Sequence, residues 1–218
     1  MIKTLLFSAI EDMLRDLSGP LGIRLRRIYY RRRLKRCGKG LVIEPGVHLV
    51  QPDYISLGQN VWIDRNAVLI AGAPDTNAYI EQRKNEDITI APGEIIIGSD
   101  SHIGIGAIIQ GHGGVEIGDC FTASPSAKIY SFSNDYRLCR NGTIRVRQAK
   151  QYYLQTPVHI GRNVWIGMNA IIVGHSIGAD CFIKPGATVA ADMPVNSIVE
   201  GTPAKSTQQR FQEAKADL

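Results

Sequence analysis

The sequence predicts an all-β solenoid, a stack of short-stranded coils, preceded by a short helical extension. Three observations support this prediction: aliphatic residues recur every six positions over most of the chain, the N-terminal segment follows a helical spacing instead, and basic charge is concentrated in that segment. With 218 residues, the chain is long enough to form one domain with a sizeable core.

The N-terminal segment, residues 1–40, is predicted to be a basic helical extension. Apolar residues at positions 2, 5, 6, 9, 10, 13, 14 and 17 share one helix face, and Ser18-Gly19-Pro20 ends this helix and can begin another. The segment carries eleven Lys or Arg against three Asp or Glu, whereas the rest of the chain carries fourteen against seventeen. Attraction to anions is therefore concentrated at one end of the chain.

Two interpretations of this basic segment remain open, and they do not exclude each other. It can cap the main domain with a solvated basic rim, or it can dock on an anionic membrane surface or on a lipid-linked, anionic substrate. Nucleic acid is not expected as a partner because no recognition motif accompanies the charge. No apolar run approaches the ~20 residues that cross a bilayer, and Glu11 and Asp12 interrupt any signal-peptide pattern. A cytoplasmic protein is expected, with the inner face of the membrane as a further location if the segment docks there.

The repeat region is predicted over residues 41–193. A period of six fits neither a helix nor a half-exposed strand; it is typical of short strands joined by tight corners, with the aliphatic residue of each hexad in a shared core. Two insertions, residues 71–96 and 134–157, interrupt the register and are expected to form surface loops. Residues 194–218 are predicted to form a C-terminal cap and tail. The hexads begin at residues 57, 63, 69, 97, 103, 109, 117, 123, 129, 160, 166, 172, 177, 183 and 189.

The most specific stretches are PVHIGRNVWIGMNAII (157–172), IGADCFIKPGATVAADMPVNSIVEGTPAK (177–205) and the following Gln209-Arg210-Phe211. On these residues the chain resembles the hexapeptide-repeat acyltransferases, and most of all the branch that O-acetylates sugars and bacterial surface polysaccharides. The resemblance covers roughly residues 41–211. It implies a left-handed parallel β-helix, a homotrimer with active sites in the clefts between neighbouring subunits, and acetyl-CoA as the acyl donor.

The resemblance also implies which residues hold the donor and what the protein does. The expected reaction is transfer of acetyl to a sugar hydroxyl during the biosynthesis of bacterial surface polysaccharide or glycolipid. Ala190-Ala191 departs from the Thr-Lys that sugar acetyltransferases often carry, which weakens the expectation at the nucleotide end of the donor. The residues expected to bind CoA are Gly167, Met168, Lys184, Pro185, Gly201, Thr202, Lys205 and Arg210.

The histidine that serves the family as catalytic base is missing from this sequence. Its position falls in the stretch SFSNDYR, on Asn134 or Asp135. Transfer of acetyl to a hydroxyl needs a base that takes the hydroxyl proton, and such assistance contributes about 10²–10⁴-fold to the rate. Asparagine cannot act as a base. An aspartate is a weak base unless burial raises its pKa.

Three solutions remain open at this point. Asp135 is the base, with Tyr136 or Asn134 orienting the acceptor. Alternatively, a histidine from elsewhere serves: His112, which lies about one coil earlier, or His175, which lies at a shortened corner of the later repeats. In the third solution the protein is a non-catalytic hexapeptide-repeat scaffold that binds glycan, CoA or a partner protein.

No metal site is expected. The four cysteines are scattered without a CxxC pair and are predicted to be free thiols. The γ-class carbonic anhydrases share the fold and hold zinc with a signature that includes two histidines five residues apart; no such pair occurs in this sequence.

Overall fold

The computed structural model describes residues 2–73, 79–82, 89–135, 137 and 152–212. Parts of both predicted insertions (residues 74–78, 83–88, 136 and 138–151) and residues 213–218 of the tail lie outside this part of the chain. Within it, the repeat region forms stacked coils whose strands line up in three mainly parallel sheets, and each coil passes from the first face to the second and then to the third. The parallel sheets and the hexad spacing of the sequence agree with the predicted solenoid.

The first face contains five strands. Each pairs in parallel with a strand of the next coil; Val115, for example, lies opposite Ile95 on one side and Val158 on the other. The strands are Arg36–Cys37, Ile55–Leu57, Ile95–Ile97, Val115–Ile117 and Val158–Ile160.

The second face contains eight strands, of which the last two form an antiparallel hairpin. This hairpin, Ser197–Gly201 with Ala204–Gln209, lies within the predicted C-terminal cap. The other strands are Val42–Ile43, Trp62–Ile63, His102–Ile103, Thr122–Ala123, Trp165–Ile166 and Phe182–Ile183.

The third face contains six strands, all parallel. A separate three-stranded sheet, made of Tyr79–Gln82, Tyr152–Gln155 and Phe132–Asn134, arises where the two insertions leave this face. The strands of the third face are His48–Val50, Val68–Ile70, Ile108–Gln110, Lys128–Tyr130, Ile171–Val173 and Thr188–Val189.

The core is the interior of the coil stack. Every residue that begins a hexad, from Leu57 to Val189, is at most 3% exposed. Strands of two or three residues suffice because one inward side chain per strand is enough on the second and third faces, while first-face strands such as Ile95–Ile97 bury the residues at both ends. The inward columns stack on one another in register, as Leu69, Ile109 and Ile129 do, so the hexad pattern of the sequence is the core pattern of the structure.

Two helices, α1 (Ile2–Arg15) and α2 (Gly19–Tyr30), precede the coils. They pack on the first coil through Arg26, whose side chain is fully buried and donates from Nε to the carbonyl of Ile43 at 2.8 Å. Its Nη1 donates to the carbonyls of Leu14 at 2.8 Å and Leu17 at 2.7 Å, so one guanidinium joins both helices to the coil. Among the described residues, neither helix is long and apolar enough to cross a membrane.

Candidate functional site

Three corners separate the faces, and they are built differently. The first corner follows the first face and the second corner follows the second face; both repeat with almost no variation from coil to coil. The third corner joins the third face to the first face of the next coil, and both insertions leave from it. A residue with positive φ recurs at the same position of each regular corner, for example Asn60 and Asp100 at the first and Asn66 and Asn169 at the second.

The third corner gathers the residues predicted to act as a base. Backbone hydrogen bonds connect its successive coils: Gly111 N donates to Ile70 O at 2.8 Å, Ser131 N to Gln110 O at 3.1 Å, and Gly174 N to Tyr130 O at 2.8 Å. His112 therefore lies one coil before the segment that contains Asn134 and Asp135, and His175 lies one coil after it. With coils about 4.8 Å apart, the two histidines are separated by about 10 Å along the stack.

The imidazole of His112 is held in one orientation. Its Nδ1 lies 2.8 Å from the carbonyl oxygen of Gly72, which can only accept a hydrogen bond, so Nδ1 carries the hydrogen. In the neutral ring, Nε2 is then the atom with the free lone pair. The ring also stands edge-on to Phe132, with centroids 5.7 Å apart and planes at 82°. His112 thus has the fixed tautomer that a general base requires.

An aromatic pair extends this arrangement into the insertion sheet. The rings of Phe132 and Tyr153 lie 4.8 Å apart, and their strands run antiparallel, with Asn134 opposite Tyr153. Asn134 is half-buried at the end of its strand. Phe132 and Tyr153 were not predicted as site residues. The sequence feature that could have indicated them is the presence of an aromatic residue near each end of the 134–157 insertion.

Asp135 has a different environment. Its carboxyl group is 1% exposed and accepts hydrogen bonds from Arg137 at both oxygens, from Nε at 3.0 Å and from Nη2 at 2.9 Å. The backbone N–H of Arg137 adds a third contact to Oδ1 at 3.0 Å. An opposite charge and hydrogen bonds to both oxygens stabilise the ionised carboxylate and occupy its lone pairs. This geometry suits a structural ion pair better than a proton acceptor.

His175 is held by an acidic side chain. Its Nδ1 lies 3.3 Å from Oδ1 of Asp192, and the same oxygen accepts the backbone N–H of Ser176 at 2.7 Å. The side chain is about 29% exposed. His175 therefore shares the third corner with His112, but its partner is a carboxylate of the following coil instead of a carbonyl group.

The residues predicted to bind CoA lie mainly at the second corner and in the C-terminal hairpin. Gly167 N donates to Ile183 O at 2.8 Å and Gly186 N to Met168 O at 2.8 Å, which stacks successive turns tightly. Met168 is 52% exposed. A Cβ on Gly167 would come within 2.5 Å of the backbone nitrogen of Pro185, so the turn admits no side chain there.

The two lysines predicted to bind CoA, Lys184 and Lys205, differ in their surroundings. Lys184 is hydrogen-bonded to Glu200, and this contact lowers the pKa of the Glu200 carboxyl below its usual value. Lys205 is exposed. The hairpin residues Gly201 and Thr202 lie beside Lys205, and Thr202 Oγ1 is 3.4 Å from Thr188 Oγ1.

Arg210 is not brought together with the other residues predicted to bind CoA. Its Nη1 donates to the carbonyl of Asn163 at 2.7 Å and to that of Cys181 at 3.1 Å. Both carbonyls lie at the beginning of the second face, whereas Lys184 and Gly201 lie at its end. Arg210 therefore fastens the hairpin to two coils, and the prediction that it contacts a CoA phosphate stays a prediction.

The second and third corners lie at opposite ends of the third face. A strand with its flanking residues covers about 15–20 Å at ~3.3 Å per residue. The residues predicted to bind the donor and those predicted to act as a base are therefore far apart within one chain. Among the described residues, no group of three or more His, Cys, Asp or Glu side chains could hold a metal ion.

Comparisons with known proteins agree with this architecture. Residues 157–191 match the sequence model of the family described as bacterial transferase hexapeptide (six repeats). A probable acetyltransferase of Mycobacterium tuberculosis is 26% identical over 164 residues, which cover 75% of this chain and 52% of that protein. A putative acetyltransferase of Schizosaccharomyces pombe is 46% identical over 50 residues, 22% of this chain and 24% of that protein. The chain thus spans about half or less of the length of these curated relatives.

Similar solved structures extend over most of the chain. A variant of AntD, an N-acyltransferase from Bacillus cereus solved with dTDP and coenzyme A, has a TM-score of 0.69 at 21% identity and covers 87% of this chain and 89% of its own. A maltose O-acetyltransferase from Clostridium difficile has a TM-score of 0.58 at 20% identity and covers 95% and 86%. A hexapeptide-repeat acetyltransferase from Vibrio cholerae, complexed with acetyl-CoA, has a TM-score of 0.58 at 19% identity and covers 94% and 86%. These likenesses show a shared fold.

Proposed function

We propose that the protein transfers acetyl from acetyl-CoA to a hydroxyl group of a sugar, in the assembly of bacterial surface polysaccharide or glycolipid, and that His112 is its catalytic base. The single observation that supports this best is the contact of 2.8 Å between His112 Nδ1 and the Gly72 carbonyl, because it leaves Nε2 as the proton acceptor. The names of the relatives support acetyl transfer, and two of the structural neighbours were solved with coenzyme A or acetyl-CoA.

A hydroxyl acceptor fits this geometry better than an amine. A neutral amine is already a nucleophile, whereas a hydroxyl must lose its proton as it attacks and gains most from a base. The structural neighbours include both kinds of enzyme, an N-acyltransferase solved with an amino-sugar nucleotide and a maltose O-acetyltransferase. The oriented imidazole of His112 favours the second kind for this chain.

In the proposed reaction, His112 Nε2 accepts the hydroxyl proton while the acceptor oxygen attacks the thioester carbonyl of acetyl-CoA. The bond from carbon to sulfur then breaks, the acetyl ester remains on the sugar, and the CoA thiolate takes up the proton from the imidazolium. The carbonyl of Gly72 accepts the hydrogen on Nδ1 in both the neutral ring and the imidazolium, so the ring keeps its orientation throughout. The ion pair between Asp135 and Arg137 lies directly after Asn134.

We also propose that the coils wind left-handedly and that three copies assemble so that the second corner of one copy faces the third corner of its neighbour. The separation of these two corners within one chain supports this arrangement, because one chain alone cannot bring donor and base together. Exposed apolar side chains at the second face and second corner support a contact surface there. These are Trp62, Ile105, Trp165 and Met168, each between 47% and 52% exposed.

In this assembly, backbone groups of the second corner line the pantetheine arm of CoA. Lys205 is the best-placed cation for a CoA phosphate, since it is exposed and Lys184 already binds Glu200. Gly167 lets the successive turns of this corner stack closely, because a Cβ there would meet the backbone nitrogen of Pro185 at 2.5 Å.

A second candidate function is a scaffold without catalytic activity. The observation that favours it is that the position where the resembled family carries its base falls on Asn134, an amide, or on Asp135, whose carboxyl group is bound by Arg137. Such a scaffold would bind glycan, CoA or a partner protein, and changes at His112 would leave its binding unaltered.

The deciding experiment measures acetyl transfer by the purified protein to a panel of sugars and lipid-linked oligosaccharides, together with acetyl-CoA binding by calorimetry. His112→Asn should lower kcat by about 10²–10⁴-fold and leave the Kd for acetyl-CoA unchanged. His159→Asn is the matched control, because His159 lies on the regular first face, where its Nδ1 is 3.4 Å from Oε2 of Glu116; it should retain full activity.

Other outcomes would separate the alternatives. Loss of transfer in Asp135→Asn with a folded protein and full activity in His112→Asn would assign the base to Asp135, and the same result with His175→Asn would assign it to His175. A wild-type protein that does not bind acetyl-CoA would refute the donor assignment. Binding of acetyl-CoA without transfer to any acceptor would support the scaffold.

A further inference from the structure

Helix α2 has one face packed on the protein and an opposite face without cover among the described residues. Its buried residues, Gly22, Arg26 and Tyr30, recur every four positions and form the packed side. The outward side carries Leu21, Arg24 and Ile28, and it continues into Arg31 and Arg32 in the turns after the helix. With 3.6 residues per turn, these five residues form one stripe opposite the buried one.

The stripe combines aliphatic and basic side chains. Leu21 is 63% exposed and Ile28 is 44% exposed. Arg24, Arg31 and Arg32 are exposed as well, and none of them forms an ion pair within the part of the chain that the structure describes. On the packed side of α2, Arg26 donates to backbone carbonyls and so holds the helix on the coil. The outward arginines are thus not needed to hold α2 on the coil.

This pattern matches the chemistry of an anionic lipid surface. Guanidinium groups bind phosphate oxygens, and aliphatic side chains between them enter the boundary between head groups and acyl chains. A surface made for nucleic acid would have polar or aromatic residues at the positions of Leu21 and Ile28. The excess of eleven Lys or Arg over three Asp or Glu in residues 1–40 adds long-range attraction to an anionic surface.

We propose that this stripe of α2 docks the protein on membranes that contain anionic lipid. Leu21 and Ile28 insert, while Arg24, Arg31 and Arg32 bind lipid phosphates. Because the buried Arg26 fastens α2 to the first coil, docking holds the coil stack itself at the membrane, not only a tethered helix. The inference goes beyond the proposed reaction and does not depend on it.

The test is sedimentation of the full-length protein with vesicles of phosphatidylcholine alone or of phosphatidylcholine mixed with phosphatidylglycerol. The wild type should bind the mixed vesicles, weakly at high salt, and should not bind phosphatidylcholine alone. Each arginine near an anionic surface contributes about fivefold in affinity, so the double variant R24Q/R31Q should bind roughly 25-fold more weakly. L21S/I28S should also weaken binding, at unchanged charge.

The matched control is R65Q/R162Q, which removes the same charge from exposed arginines on the coil stack. It should bind like the wild type, and circular dichroism should show all variants folded. An equal loss in R24Q/R31Q and R65Q/R162Q would overturn the proposal, because attraction would then be diffuse. Absence of binding to mixed vesicles would overturn it too, as would tighter binding to a DNA duplex with the same sensitivity to R24Q/R31Q.

Discussion

The second and third corners of the coil stack differ in regularity, although both border the strands of the third face. At the second corner, each coil has a residue with positive φ at the same position. These residues are Gly46, Asn66, Gly106, Ser126, Asn169 and Gly186. At the third corner, the connection ranges from the short stretch around His112 to the long insertions before Ile95 and before Val158. The regular corner repeats one backbone solution, and the irregular one varies from coil to coil.

This difference shows where stability and chemistry reside. A corner that stacks directly on its neighbours cannot change shape without disturbing the coils on both sides, so small residues and left-handed turns recur there. The third corner is free from that restraint where the insertions leave it, and the oriented imidazole of His112, the pair of Phe132 and Tyr153, and the buried Asp135 all lie there. Variation is concentrated where it costs the stack least.

The largest effect on stability is expected from the core of the regular coils. Ile166→Ala truncates a fully buried side chain and should lower the free energy of unfolding by about 2–5 kcal/mol. Val195→Ala is the control, since Val195 is 67% exposed and should change stability by less than about 0.5 kcal/mol. Chemical denaturation monitored by circular dichroism measures both. Equal effects would mean that the coil interior does not carry the stability.

A smaller effect is expected where coils approach each other at the second corner. In Gly104→Ala, the new Cβ would come within 2.5 Å of the Ala123 carbonyl oxygen, which should cost about 1–3 kcal/mol because backbone must move. Gly106 lies in the same turn with φ of 64°, and a Cβ there would meet Ser126 Oγ at an ordinary contact distance of 3.8 Å. Gly106→Ala should therefore cost only the left-handed strain, about 1–2 kcal/mol. Thermal unfolding would refute the distinction if Gly106→Ala were the more damaging change.

The smallest effect on stability is expected at Asn169, where two substitutions distinguish the contribution of the backbone conformation from that of side-chain contacts. Asn169 has φ of 57° at the second corner. Asn169→Ala should lower the unfolding free energy by about 1 kcal/mol, because alanine tolerates this conformation poorly. Asn169→Gly should be close to neutral, since glycine adopts positive φ without strain. If glycine were as destabilising as alanine, the asparagine side chain and not the turn would be responsible.

The regular part of the molecule was predictable from sequence because its information is local. The first residue of each hexad is predicted to point into the core, and all of these residues, from Leu57 to Val189, are buried. The N-terminal segment was only partly predictable. Its helices follow from the apolar spacing, but Arg26 looks in sequence like one more solvated arginine of a basic run, and in the structure it is fully buried. A guanidinium that binds four backbone carbonyls cannot be recognised from the sequence.

The candidate site was less predictable because its contacts are distant in sequence. His112 was one of several possible bases, and the feature that distinguishes it is a backbone carbonyl forty residues earlier, at Gly72. No residue type at position 72 could signal that contact, since every residue has a carbonyl. Asp135 illustrates the converse: its partner Arg137 is only two residues away, so the ion pair that argues against a role as base was within reach of sequence reasoning.

Distances along the coil stack change only in whole increments. Every complete coil adds one strand to each face, so it moves everything beyond it by about 4.8 Å and leaves the corners unchanged. The spacing between His112 and the C-terminal hairpin is therefore set by an integer, the number of coils between them. Adding or deleting one coil would resize the gap between acceptor and donor without redesigning a single turn.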